Sequence, residues 1–288
     1  MTPAERNMLD TFLQYGDHFS NSKIIFMGKE EGLGQHLETA AIPARMSLLT
    51  DPAYLSSRGY VNGINHTQGW YITDGGCLGR ALGDSPDTPS DFVQVISFQA
   101  YFYWLLQDDN RLIAKSRLGY DWKQYYSMFN TLGSGSHMID YYPFPKISSS
   151  VIWSYYYQTE FPTSKKYYGF YCHDRFGTNN RWKILRNLFN NFPMEITISY
   201  IGYVNGNFLN QSFYTNLGFI FGKKMTTKNV NPSYAAYIDP SPKPIDFIIG
   251  DRVQNGKKQI VVQTPFFTRR QPKPMKYEDI AVISSWLP

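Results

Sequence analysis

Glu30 and Glu31 stand side by side in Gly28-Lys29-Glu30-Glu31-Gly32-Leu33-Gly34. A carboxylate at a turn can orient a water as a general base or steady a developing cation. Both are needed to break a glycosidic bond through an oxocarbenium-like transition state. A second, blander role for one of the pair is to sit at the start of the next helix, where negative charge is favoured. Asp140 lies in His137-Met138-Ile139-Asp140-Tyr141-Tyr142-Pro143-Phe144-Pro145. Its carboxylate is a natural acceptor for an exocyclic amine such as that of cytosine; the alternative is a cap on the loop built by Pro143 and Pro145. The third set is Phe266 and Phe267, followed by Arg269, Arg270, Lys273 and Lys276. Cations in a loop suit backbone phosphates, and apolar side chains beside them can wedge into a base stack. The alternative is a solvated basic loop behind two core phenylalanines. The five histidines (His18, His36, His66, His137, His173) show no metal-ligand spacing. No GxSxG, P-loop or dinucleotide fingerprint is present, so neither metal nor cofactor is expected.

Elements must hold these residues in place. The apolar run from Lys23 to Gly28 has the length and composition of a buried strand. Gly28 then lets the chain turn, so Glu30 and Glu31 leave the strand's carboxyl end, where open α/β sheets usually bind ligands. A second strand is expected to end at Asp140, stopped by the prolines. A third is expected over 194–203. A hairpin at 245–249 and 259–263 turns around Asn255-Gly256. Apolar spacing predicts helices over 3–15 (Thr2 as cap, Pro3 in the first turn), 35–49, 91–106, 120–130, 179–192, 207–217 and 277–286. In the helix over 179–192, Trp182, Leu185, Leu188 and Phe189 should face inward and Arg181, Lys183 and Arg186 outward. The alternation implies an α/β fold: a three-layer α/β/α sandwich with a short, mostly parallel central sheet. Strands one, two and the last would end on one side. One domain over 1–288 is expected, with a glycine-rich insertion at about 51–91 that reads as a functional loop or a plain surface insertion.

The bulk numbers allow this. The chain has 288 residues, 42% hydrophobic, 18% charged and 17% aromatic, with 23 tyrosines and 20 phenylalanines. So many amphipathic rings suit half-buried surfaces and stacking on bases or sugars, although codon bias would produce the same surplus. A net charge of +5 permits a polyanionic partner without demanding one. Cys77 and Cys172 sit in no CxxC pattern, which argues for a reducing compartment and against structural zinc. The first residues carry charges and no apolar core of signal-peptide length, and no run reaches membrane-spanning length. A cytoplasmic protein with no membrane partner and no obligate protein partner is expected.

Taken in order, the three segments resemble the uracil-DNA glycosylase superfamily. Gly28-Lys29-Glu30-Glu31-Gly32 is similar to its first motif, a glycine followed by a variable residue and a water-positioning Asp or Asn. Ile139 to Pro145 resembles its second strand, whose end reads the flipped base. Val261 to Arg269 resembles its last strand and the loop that enters the minor groove. The resemblance implies a uracil-DNA-glycosylase-like fold and a monofunctional glycosylase that flips a base from DNA and leaves an abasic site. It implies Glu30, then Glu31, as the catalytic carboxylate. Gly28, Gly32, Asp140, Tyr141 and Phe144 would surround the base. Phe266, Phe267, Arg269, Arg270 and Lys273 would contact DNA. Four positions depart from the family pattern: Glu30 replaces Asp or Asn, Glu31 stands where proline is usual, Asp140 replaces the base-reading asparagine, and Phe266 replaces the loop histidine. Those departures point away from uracil toward an amino-bearing base, a modified cytosine. A long, aromatic chain of this kind resembles glycosylases that excise glucosylated hydroxymethylcytosine from phage DNA. The rival expectations are a hydrolase or transferase of nucleosides or sugar nucleotides, and a non-catalytic nucleic-acid-binding module.

Overall fold

In the computed structural model, the residues described are 1–10, 15–16, 21–29, 42, 91–107, 110–117, 135–144, 153, 155–172, 180–192, 194–267 and 275–288. The expected helix over 35–49 (apart from Ile42, which is helical and buried), the glycine-rich stretch over 51–90 and the helix over 120–130 lie outside them. The chain is mixed α/β. By packing it divides into two compact units, Met1–Arg80 with Asn130–Met194, and Ala81–Phe129 with Glu195–Pro288.

The first unit holds helix α1 (Pro3–Leu9) and strands β1 (Tyr15–Gly16) and β2 (Ile24–Gly28). Thr2 and Glu5 close α1 reciprocally: the Glu5 amide donates to Thr2 Oγ1 at 3.2 Å, and the Thr2 amide donates to Glu5 Oε2 at 2.6 Å. That is the Thr-x-x-Glu box that satisfies two orphan donors at a helix start. Strand β2 is buried along its whole length, as a continuous apolar run demands. It pairs in parallel with β3 (Ser136–Asp140), with Ile24 opposite Ser136 and Gly28 opposite Asp140. On the other side of β3 lies β1, antiparallel, with Tyr15 opposite Met138.

A short 3-10 turn (Tyr155–Tyr157), α3 (Ser164–Cys172) and α4 (Asn180–Asn191) follow in this unit. Their aromatic side chains make its core. Phe144 stacks between Tyr157 (ring centroids 5.2 Å apart, planes at 27°) and Tyr167 (5.0 Å, 18°). Each such ring is worth roughly 2–3 kcal/mol on burial. The Tyr171 carbonyl is among the last in α3, where intrahelical partners run out. The Tyr141 hydroxyl (3.1 Å) and the Trp182 indole N–H (2.7 Å) both donate to it.

In the second unit, α2 (Asp91–Leu105) is followed by a 3-10 segment (Asn110–Arg117), strands β4 (Ile196–Ser199), β5 (Tyr203–Val204) and β6 (Asn207–Phe208), and α5 (Gln211–Asn216). Strands β7 (Ile220–Phe221), β8 (Met225–Thr226), β9 (Asp246–Gln254) and β10 (Lys257–Gln263) and the closing helix α6 (Tyr277–Ser284) complete it. Parallel pairing joins β4 to β10, with Ser199 opposite Gln263. The other pairs are antiparallel: β9 with β10, and β7 and β8 with β9. The β9–β10 hairpin turns where expected, at Asn255 (φ 51°) and Gly256 (φ 74°), the two positive φ values that a two-residue turn of right-handed twist requires.

The strand expected over 194–203 is instead broken. Gly202 adopts φ 147°, and the chain re-enters a small hairpin, β5–β6, over Asn205 (φ 50°) and Gly206 (φ 83°). The helix expected from 207 therefore begins only at Gln211. The polar stretch 223–244 also carries strand β8 and a 3-10 turn at Pro232–Tyr234. Among the described residues no helix is long and apolar enough to cross a membrane.

Candidate functional site at the ends of parallel strands

In the first unit, the ends of β2 and β3 come together because their register makes them. Gly28 and Asp140 are direct partners, and pairing continues beyond both. The Tyr141 amide donates to the Gly28 carbonyl at 3.0 Å, and the Tyr142 amide to the Lys29 carbonyl at 2.9 Å. Gly28 is buried, whereas Lys29 and Asp140 are half-buried. Lys29 and Asp140 thus lie at the carboxyl ends of adjacent parallel strands, the edge at which α/β sheets bind ligands. Glu30 and Glu31 follow Lys29 in the chain. They and Gly32 lie outside the described residues.

Tyr141 and Phe144 are in the core, at 1% and 0% exposure. Tyr141 meets Tyr142 edge-on at 5.0 Å and Trp182 at 6.3 Å. The Phe144 amide donates to the Tyr167 hydroxyl at 3.2 Å. Both fix the segment after β3 rather than present a ring to solvent.

The segment has a further anchor, and it corrects one expectation. Arg181 is not outward: it is 1% exposed. Its guanidinium donates to the carbonyls of Asp10 (3.0 Å) and Tyr141 (3.4 Å), and also to that of Asp140. A planar fork with five donors can bind several carbonyls where an ammonium could not. Arg181 therefore ties the end of β3 to the end of α1. Lys183 is exposed as expected and Arg186 is half-buried. Beside Arg181, the Asp10 carboxyl is buried and accepts the Tyr171 hydroxyl at 2.5 Å. Burial pushes its pKa up to about 6, against the opposing pull of the Tyr171 hydrogen bond and of Arg181 and Arg6. Burial, and then Asp10, drive the Tyr171 phenol well above its ordinary range.

Lys29 and Tyr168 also belong to this site and were not singled out by residue type. The Lys29 ammonium sits 4.9 Å from the centroid of the Tyr168 ring, and that ring meets Tyr142 edge-on at 5.0 Å. The signal for Lys29 was its place beside Gly28; nothing local to Tyr168 marks it among so many tyrosines.

The second unit holds the segment after β10. The Thr264 amide donates to the Ser199 carbonyl at 2.9 Å, so pairing with β4 runs past the strand. Phe267 is fully buried. It stacks on Tyr200 at 4.4 Å with planes at 14°, and packs against Phe98 (5.9 Å) and Phe102 (6.0 Å) of α2. Phe266 is half-buried, tilted on Tyr200 at 5.9 Å. Of the two phenylalanines, Phe266 is partly exposed, while Phe267 is packed in the interior. Arg269, Arg270 and Lys273 lie outside the described residues. Among the described residues no group of three or more His, Cys, Asp or Glu side chains could hold a metal ion.

No protein-family model, curated protein or solved structure matches the chain. A functional reading therefore rests on the chain's own residues: a half-buried carboxylate beside a glycine at paired strand ends, with two further carboxylates next in sequence.

Proposed function

We propose that this protein is a monofunctional DNA glycosylase that flips out and excises a modified cytosine, such as glucosylated hydroxymethylcytosine in phage DNA. The observation that carries this is the register of β2 and β3, in which Gly28 stands opposite Asp140 at the carboxyl ends of two parallel strands. A glycine there lets a ligand approach the backbone, and an acceptor beside it suits an amino-bearing base. The reading extends to a three-layer, uracil-DNA-glycosylase-like sandwich, to action in the cytoplasm and to a role in anti-phage defence.

In the proposed reaction the base is held by Asp140, and the bond from C1′ of the sugar to the base nitrogen breaks first or ahead of attack. Positive charge grows on the sugar ring, and the Glu30 or Glu31 carboxylate steadies it and orients a water. The water oxygen bonds to C1′. One water proton is taken by the carboxylate and passes on to the departing base, so the products are an abasic site and a neutral free base. Arg269, Arg270 and Lys273 neutralise phosphates, and Phe266 fills the gap left in the stack.

The test removes charge without removing shape. The Glu30→Gln, Glu31→Gln double variant should form no abasic sites while binding DNA as the wild type does. Retained turnover in that variant would overturn the assignment.

A further inference from the structure

The contact between Lys29 and Tyr168 has a chemistry of its own. Backbone pairing holds Lys29 at the strand end, since its carbonyl accepts the Tyr142 amide at 2.9 Å. The Tyr142 ring meets Tyr168 edge-on at 5.0 Å, which fixes the Tyr168 plane. The Lys29 ammonium then covers that ring, 4.9 Å from its centroid. Both residues are half-buried, and both adjoin the segment that begins at Asp140.

A lysine over a partly exposed ring is a weak, reversible contact. The ring face is a better partner for a nucleobase, because every base carries a π-face and stacking is tolerant of sequence. The ammonium is a better partner for a phosphate, as a compact charge with three donors. A nucleotide carries both partners, joined through one sugar.

We propose that Lys29 and Tyr168 form a nucleotide-reading pair: Tyr168 stacks the base of one nucleotide unit at the ends of β2 and β3, and Lys29 leaves the ring face to bind that unit's phosphate. The pair rests on the glycosylase reading and adds to it a substrate rule. The site accepts phosphate-bearing units of nucleic acid and discriminates against free nucleosides.

The test compares affinities of the full chain for deoxycytidine and for its bisphosphate by calorimetric titration. The wild type should prefer the bisphosphate by about tenfold or more. Lys29→Met should bring the two affinities to within about twofold without changing that for the nucleoside. Tyr168→Leu should weaken both by about tenfold, and Tyr168→Phe should restore both. Equal loss of both ligands in Lys29→Met, no loss in Tyr168→Leu, or no preference in the wild type each overturns the proposal. Should Tyr168→Leu fail to fold, Lys29→Met alone decides, because its selective effect on the phosphate-bearing ligand is not one that a packing defect produces. The glycosylase reading fails separately: selection for the bisphosphate by a protein that forms abasic sites in no DNA would leave the pair standing and remove the reaction.

Discussion

Asp10 binds its proton more tightly in the folded chain than in the unfolded one, at about 6 against an ordinary 3.8. Between those values the native state holds the extra proton. The stability this carboxyl contributes is therefore complete below its unfolded pKa and is lost as pH rises through the folded one. Asp10→Asn keeps the shape and the acceptor for the Tyr171 hydroxyl but cannot ionise. The stability of this variant relative to wild type should rise by about 2 kcal/mol between about pH 4.5 and pH 8, since each tenfold difference in proton affinity is worth roughly 1.4 kcal/mol. Chemical denaturation at the two pH values measures it, and a pH-independent difference would contradict it. Arg181, next to Asp10, shows what residue type hides. Its charge alone suggests an outward side chain. Its spacing says otherwise, because Arg181, Leu185 and Leu188 recur at the helical interval and share a face, and all three are buried. Periodicity was the better guide, and the three carbonyls that accept from Arg181 explain why burial is tolerated.

Among the elements, those decided by local chemistry were legible in sequence. Strand β2 is a plain apolar run, and β3 ends at the residue before the tyrosines and prolines. Thr2, expected as the cap, starts α1, although the helix ends at Leu9 instead of reaching 15, where β1 lies, and Asn255-Gly256 makes the β9–β10 turn. Gly256 at φ 74° has no neighbour that a Cβ would strike, so only its backbone conformation resists a side chain. Gly256→Ala should cost about 1 kcal/mol, the penalty for an L-residue in the left-handed region, seen as a Tm lower by about 2 °C. An unchanged Tm would show that the turn relaxes. The β5–β6 hairpin carries at Asn205-Gly206 the same Asn-Gly signal as the β9–β10 turn, but the expectation of one strand over 194–203 passed over it, so it was not anticipated. Nor was β1, two residues whose pairing with β3 depends on chain far away. At the site, the glycine and the carboxylate at the strand ends were legible. Tyr168 was not, because stacking partners are set by packing rather than by spacing.

For the molecule as a whole, composition proved ambiguous in a specific way. The aromatic surplus suggested stacking surfaces, yet much of it builds the interior: Tyr101, Tyr141, Tyr157, Tyr167, Tyr171 and Tyr214 are all buried to 1% exposure or less. The net charge of +5 likewise allows a polyanion without requiring one. The decisive measurement is therefore of product rather than of binding. The protein is incubated with plain DNA, uracil-containing DNA, hydroxymethylcytosine DNA and glucosylated phage DNA, and abasic sites are then revealed as breaks by an abasic endonuclease. A glycosylase of the proposed kind breaks the modified-cytosine DNA and leaves plain DNA intact. Breaks in none of the four, whether or not the protein binds them, would contradict the glycosylase reading. Tight binding without breaks would leave a nucleic-acid-binding module, and neither binding nor breaks an enzyme of small molecules.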